Sequence, residues 1–219
     1  MNNTDQFLKA INILEKEFPH FKAPIVELEK ATPKEPFFIL ITTLLSLRSR
    51  DEMTVLVIRD LYKQIKSPQD ILAIPLEKLE KIIYKIGFYR QKAATLKSVC
   101  DVLLTQYQGK VPETLEELVS IKGIGRKTAN IVLSLAYGVP TIAVDVHVHR
   151  ISNRLGFLST KTPYETEMAL TKKVPTTYWN KVNRLLVGLG QTFCTPLSPH
   201  CSRCPINEYC EQVDVIKSR

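Results

Sequence analysis

The spacing of apolar residues predicts an all-α protein. Three observations carry that expectation. Apolar side chains return at helical intervals along most of the chain, Pro, Gly and capping residues punctuate those runs, and only one short stretch alternates with a strand-like period. Phe7, Ile11, Leu14 and Phe18 form a first stripe, stopped by Pro19. The mostly apolar run from Phe37 to Leu47 is too long for an ordinary strand and reads as a buried helix, and Met53, Val57 and Leu61 mark the next one. Ser67-Pro68 with Asp70 is a capping pattern with proline at the first helical position. Leu76, Leu79, Ile83 and Ile86 form another stripe, with Gly87 as its expected C-terminal cap. Leu96, Val99, Leu103 and Leu104 lead to Gly109, and Val182, Leu185, Leu186 and Leu189 give a late helix. The exception is Ile142, Val144, Val146 and Val148, whose alternation predicts an extended segment up to Asp145. Beyond it, Asp145 can equally cap a helix running through Arg150 to Leu155.

Composition narrows the function classes. The 219 residues carry 30 Lys and Arg against 22 Asp and Glu, a formal charge of +8 and a pI near 9.2, which suits an anionic partner such as nucleic acid. The first sixteen residues are polar with no apolar core of a secretion signal, and no apolar run is long enough to span a bilayer. A cytoplasmic protein is expected, with no membrane partner, and the unpaired Cys100 fits a reducing compartment.

The strongest chemical signal is Cys194, Cys201, Cys204 and Cys210, spaced C-x6-C-x2-C-x5-C. Four thiolates in so short a stretch can surround one metal centre. Structural zinc usually shows two separated C-x2-C pairs, whereas here one such pair sits between unequal flanks, which favours a 4Fe–4S cluster over zinc. Two disulfides or four unrelated buried thiols are the plain alternative.

Residues 112–138 carry the second signal. Pro112 and Thr114-x-x-Glu117 predict a capping box and a short helix to Ser120. Then come Ile121-Lys122-Gly123-Ile124-Gly125-Arg126-Lys127 and a helical run from Thr128 to Tyr137, ended by Gly138 and Pro140. Two glycines permit positive φ and a close approach of the backbone to another surface, and the helix N-terminus behind them offers N–H groups to an anion. Such a helix-hairpin-helix holds a DNA phosphate without reading sequence, with Ile124 tucked between the helices. An ordinary tight turn would share the G-x-G, but Lys122, Arg126 and the caps add to it. Lys127 in the first helical turn lies against the helix dipole, which disfavours its charged form, and a neutral amine is a nucleophile capable of Schiff-base chemistry. Asp145 is the only carboxylate between Glu117 and Glu165 and can combine a cap with the stabilisation of positive charge.

With these residues in hand, the chain resembles the endonuclease III family of DNA base-excision repair glycosylases. The resemblance rests on Ile121 to Ala129, on Val144-Asp145-Val146-His147-Val148-His149-Arg150 and on the cysteine set, and extends from about residue 37 to Cys210. It implies two all-α lobes with a DNA cleft between them: a six-helix barrel with the hairpin over 29–139, and an iron–sulfur cluster domain made from 1–28 and 140–219. It also implies a monomer that binds double-stranded DNA holding damaged pyrimidines or abasic sites. Lys127 would attack the sugar of an extruded nucleotide, Asp145 would assist, and Lys122, Gly123, Ile124, Gly125 and Arg126 would grip the backbone. Phe88 in Gly87-Phe88-Tyr89 falls on the wedge loop, though a core phenylalanine after a helix cap would look the same. Arg48 stands where the family often has a glutamine that fills the vacated base space, so opposite-base preference does not carry over. His147, His149 and Trp179 are expected to serve packing, and His200 local hydrogen bonding.

Two other readings stay in view. Monofunctional mismatch glycosylases, for thymine opposite guanine or for adenine, generally lack the lysine at position 127, and adenine-specific ones usually carry a further domain where this sequence has nine residues after Cys210. A non-catalytic module that only binds damaged DNA would be expected to have lost Lys127 or Asp145.

Overall fold

The computed structural model describes residues 3–219, and among them there are twelve α-helices and no β-strand. They are α1 (Asn3–Glu17), α2 (Pro24–Ala31), α3 (Pro36–Ser46), α4 (Asp51–Leu61), α5 (Pro68–Ala73), α6 (Leu76–Ile83), α7 (Tyr89–Tyr107), α8 (Leu115–Ser120), α9 (Arg126–Tyr137), α10 (Val146–Arg154), α11 (Pro163–Lys173) and α12 (Trp179–Thr192). None is long and apolar enough to cross a membrane. The chain divides into two compact units, one from Glu27 to Val139, the other from the chain up to Val26 with Pro140–Arg219.

In the Glu27–Val139 unit, α3 is apolar nearly all round, so it can be satisfied only as a central helix. Its residues Phe37 and Ile39 to Leu45 are buried, and α4, α7 and α9 pack on it. Its two buried threonines are paired: Thr43 Oγ1 donates to the Ile39 carbonyl at 2.7 Å, and Thr42 Oγ1 lies 2.6 Å from the Tyr62 hydroxyl, which bonds the Phe38 carbonyl at 3.0 Å. α5 and α6 close on α7, and α8 on α9. The cap at Ser67 is a full capping box with Asp70. At Thr114 the hydroxyl accepts from the Glu117 N–H at 3.3 Å and lies 2.6 Å from the Glu117 carboxylate.

The other unit is built on α12, which packs against α1 and α10, while α11 packs on α10. Val182, Leu185, Leu186 and Leu189 of α12 are buried with Phe7, Ile11, Leu14 and Phe18, and Phe7 stacks on Phe157 with ring centres 4.1 Å apart. Trp179 packs against this core and donates its indole N–H to the Val174 carbonyl at 2.8 Å.

Two expectations need correction. The alternating segment before Asp145 forms no strand among the described residues, and Ile142, Ala143 and Val144 are all buried. Its backbone is held by α12 instead: Asn180 accepts from the Thr141 N–H at 3.1 Å and Asn183 donates to the Ala143 carbonyl at 2.8 Å. Val146 and Val148 lie in α10. Gly87 does not cap α6, which ends at Ile83 with Tyr84 as its cap. It allows a close approach: a Cβ there would stand 3.1 Å from the Arg48 carbonyl.

Candidate nucleic-acid interface and metal centre

The hairpin forms where the glycines predict, but the two glycines do different work. Gly123 has φ 103, and a Cβ there would meet Thr95 Cγ2 of α7 at 2.7 Å, so backbone and packing both demand glycine. Gly125 is the N-cap of α9 at φ −89, and nothing in the chain lies within 4 Å of a Cβ placed on it. Its freedom is on the outer side. Ile124 is buried and donates its N–H to the Ile121 carbonyl at 3.0 Å, fixing the turn. Lys122, Gly123, Gly125 and Arg126 are exposed and Lys127, second residue of α9, is half-buried. The first turn of α9 holds no acidic residue. A glycine-capped helix end flanked by Lys122, Arg126 and Lys127 is an anion site in form and in charge.

Two exposed turns belong to the same unit. Arg48, between α3 and α4, and Phe88, the N-cap of α7, are both non-glycine residues in the left-handed region, at φ 51 and 56. Phe88 is 59% exposed, so it is no core residue, and the Arg48 guanidinium sits 6.0 Å from its ring centre.

In the other unit, Asp145 caps α10. One carboxylate oxygen, Oδ1, accepts from the N–H groups of His147 and Val148, each at 2.9 Å. His149 Nδ1 lies 2.7 Å from the Thr166 hydroxyl and His147 Nδ1 lies 3.1 Å from Arg150 Nη2, so both rings hydrogen-bond to neighbouring side chains.

All four clustered cysteines line one pocket, together with apolar walls that include Leu155, Leu189, Phe193 and Ile206. Four thiols around one largely apolar pocket suit an iron–sulfur cluster, whose ligands are cysteine thiolates. Burial pushes the Cys204 thiol up to about 11 and raises Cys210 as well, with the neighbouring thiols adding to both. A bound cationic metal reverses that preference and deprotonates the ligands. Sequence reasoning missed what holds the loop. Arg154 Nη1 donates to the Thr195 carbonyl at 2.7 Å and reaches Cys194 Sγ at 3.6 Å, its Nη2 donates to the Pro196 carbonyl at 2.7 Å, and Arg150 Nη2 donates to the Cys194 carbonyl at 2.8 Å. His200 Nδ1 pairs with Arg203 Nη2 at 3.1 Å, the local role expected of it.

The likeness to known proteins follows this geometry. The model of the HhH-GPD superfamily base excision DNA repair proteins matches residues 41–176, from within α3 through the hairpin and past α11. The class is therefore a helix-hairpin-helix protein of base excision DNA repair. The iron-sulfur binding domain of endonuclease III matches residues 194–210, the span of the four cysteines. Endonuclease III of Thermotoga maritima is 44% identical over 81% of this chain and 83% of its own, and that of Bacillus subtilis 37% identical over 97% and 94%. Among solved structures, a non-covalent Endonuclease III–DNA complex superposes with a TM-score of 0.84 at 36% identity over 97% of both chains. A thermostable thymine-DNA glycosylase does so with 0.80 at 25% identity over 96% of both. The chain belongs to the endonuclease III family.

Proposed function

We propose that this protein is a bifunctional base-excision repair enzyme. It removes oxidised pyrimidines from duplex DNA and cleaves the resulting abasic site by β-elimination through a Schiff base on Lys127. The observation that carries this reading is the placement of Lys127 in the first turn of α9, directly behind the hairpin that offers backbone N–H groups to a phosphate. The damaged nucleotide must leave the stack before its glycosidic bond is reachable. Lys127 Nζ then bonds to the sugar C1′ as the C1′–N bond to the base breaks and the base departs with the bonding pair and a proton. The C1′–O4′ bond then opens, with a proton delivered to O4′, to give the iminium; this acidifies the C2′ proton, and loss of that proton expels the 3′ phosphate oxygen. Asp145, whose Oδ1 accepts from two backbone donors at the start of α10, offers its carboxylate to positive charge on the sugar and to proton transfer.

Lys122 to Arg126 hold the DNA backbone, Arg48 and Phe88 occupy the gap left by the extruded base, and Cys194, Cys201, Cys204 and Cys210 hold a 4Fe–4S cluster. That cluster is structural, since four cysteine ligands leave no open iron for substrate. The hairpin domain covers 29–139 and the cluster domain 1–28 with 140–219, and the protein acts as a monomer in the cytoplasm.

The test is borohydride trapping on a duplex containing one thymine glycol, with Lys127→Ala alongside. A covalent adduct in the unaltered protein, absent in Lys127→Ala while the thermal midpoint holds, is the expected result. Excision without an adduct would assign a water-using glycosylase, the reading that likeness to a thymine-DNA glycosylase would favour. Binding with neither would leave a damage-binding module.

A further inference from the structure

Lys92 is the one lysine among the described residues that is buried, 8% exposed, and the mechanism above makes no use of it. A buried ammonium is costly, so what it holds is informative. Its Nζ donates to the Leu45 carbonyl and to the Ser49 hydroxyl, each at 2.6 Å. Leu45 lies in the last turn of α3, a helix end with no basic residue of its own, so Lys92 supplies the cation that its terminal carbonyls favour. The two acceptors flank Arg48, one before it and one after. The Lys92 backbone N–H bonds the Phe88 carbonyl at 3.0 Å, closing the first turn of α7 behind the left-handed Phe88. One residue thus ties down the two left-handed turns at Arg48 and Phe88, and Gly87 lets them approach closely.

Resting on the reading that Arg48 and Phe88 enter the DNA gap, we infer that Lys92 is a positioning residue that sets these two side chains as one unit and thereby governs lesion binding and opposite-base discrimination. Burial also lowers the Lys92 ammonium to about 8, in keeping with a group kept for its contacts.

The test uses the holoprotein, thymine-glycol duplexes with each of the four opposite bases, and four variants: Lys92→Met, Ser49→Ala, Arg48→Ala with Phe88→Ala, and that pair combined with Lys92→Met. Lys92→Met should weaken lesion binding about tenfold and flatten the opposite-base ratios, while single-turnover cleavage at saturating protein stays within about twofold. Added to the Arg48→Ala and Phe88→Ala pair, it should change binding by less than about twofold, because its effect runs through them. Ser49→Ala removes one acceptor without touching the buried charge, and should shift binding and ratios about threefold in the same direction even if Lys92→Met folds poorly.

A lowered thermal midpoint with binding and ratios unchanged in both Lys92→Met and Ser49→Ala would make Lys92 merely structural and overturn the inference. Full multiplication of effects in the combined variant would do the same. Unaltered binding in the Arg48→Ala and Phe88→Ala pair would remove the gap-filling reading and this inference with it. An unaltered protein that neither binds nor cuts the duplex would instead sink the proposed function itself.

Discussion

On the proposed mechanism Asp145 joins two jobs, the observed cap of α10 and the catalytic acid, that substitution can separate. Asparagine caps helices about as well as aspartate, so Asp145→Asn should keep stability within about 0.5 kcal/mol. It should also lower single-turnover excision about a hundredfold or more, because the charge facing the sugar is gone. Urea unfolding beside quenched-flow cleavage reads both, and a stable, fully active variant would leave Asp145 as a cap alone. Lys92 gives a second residue-level expectation, in the pH dependence of stability. Its folded pKa of about 8 lies below the ordinary lysine value of about 10.4, so between these the unfolded chain binds more protons and stability rises with pH. The stability of the unaltered protein relative to Lys92→Met should therefore increase from pH 8 to pH 10, by an amount on the order of 3 kcal/mol, whereas below pH 8 the difference should be flat. Neither Lys92 contact is local: the partners stand 47 and 43 residues away, so only its position one turn ahead of Leu96, on the buried stripe of α7, marks it in the sequence.

At the scale of elements, the hairpin was legible because its determinants are neighbours in the chain. Caps, glycines and basic residues fall within one short window, and the turn they predict is the one found. Equality of the two glycines was not legible as false, since only the packed α7 distinguishes them. Gly123→Ala should cost about 1–3 kcal/mol through its φ and the Thr95 contact, with DNA affinity falling alongside as the hairpin it shapes is disturbed. Gly125→Ala should cost less than about 1 kcal/mol yet weaken DNA binding about tenfold, because its Cβ enters the space a phosphate would use. Thermal melts and binding titrations on the two variants check this, and equal losses in both would remove Gly125 from the interface. The segment before Asp145 misled for a definite reason. A lone extended chain and a sheet strand share one periodicity, and the Asn180 and Asn183 side chains that replace a partner strand lie about forty residues downstream.

For the whole molecule, the all-helical class followed from periodicity and the metal centre from the cysteine spacing, both one-dimensional signals. What escaped was the support of that centre, since Arg150 and Arg154 meet the cysteine loop across roughly forty residues of chain. Cys204→Ser should lose the broad visible absorption of the purified protein, drop iron below the about four atoms per chain expected of the cluster, and lower the thermal midpoint. Stoichiometric zinc in the unaltered protein, with no iron, would overturn the assignment.

Helix α10 carries the Asp145 cap at one end and Arg154, anchor of the Cys194 loop, in its last turn at the other. At a rise of about 1.5 Å per residue, its nine residues act as a ruler that spaces the acid from the anchor of the cysteine loop.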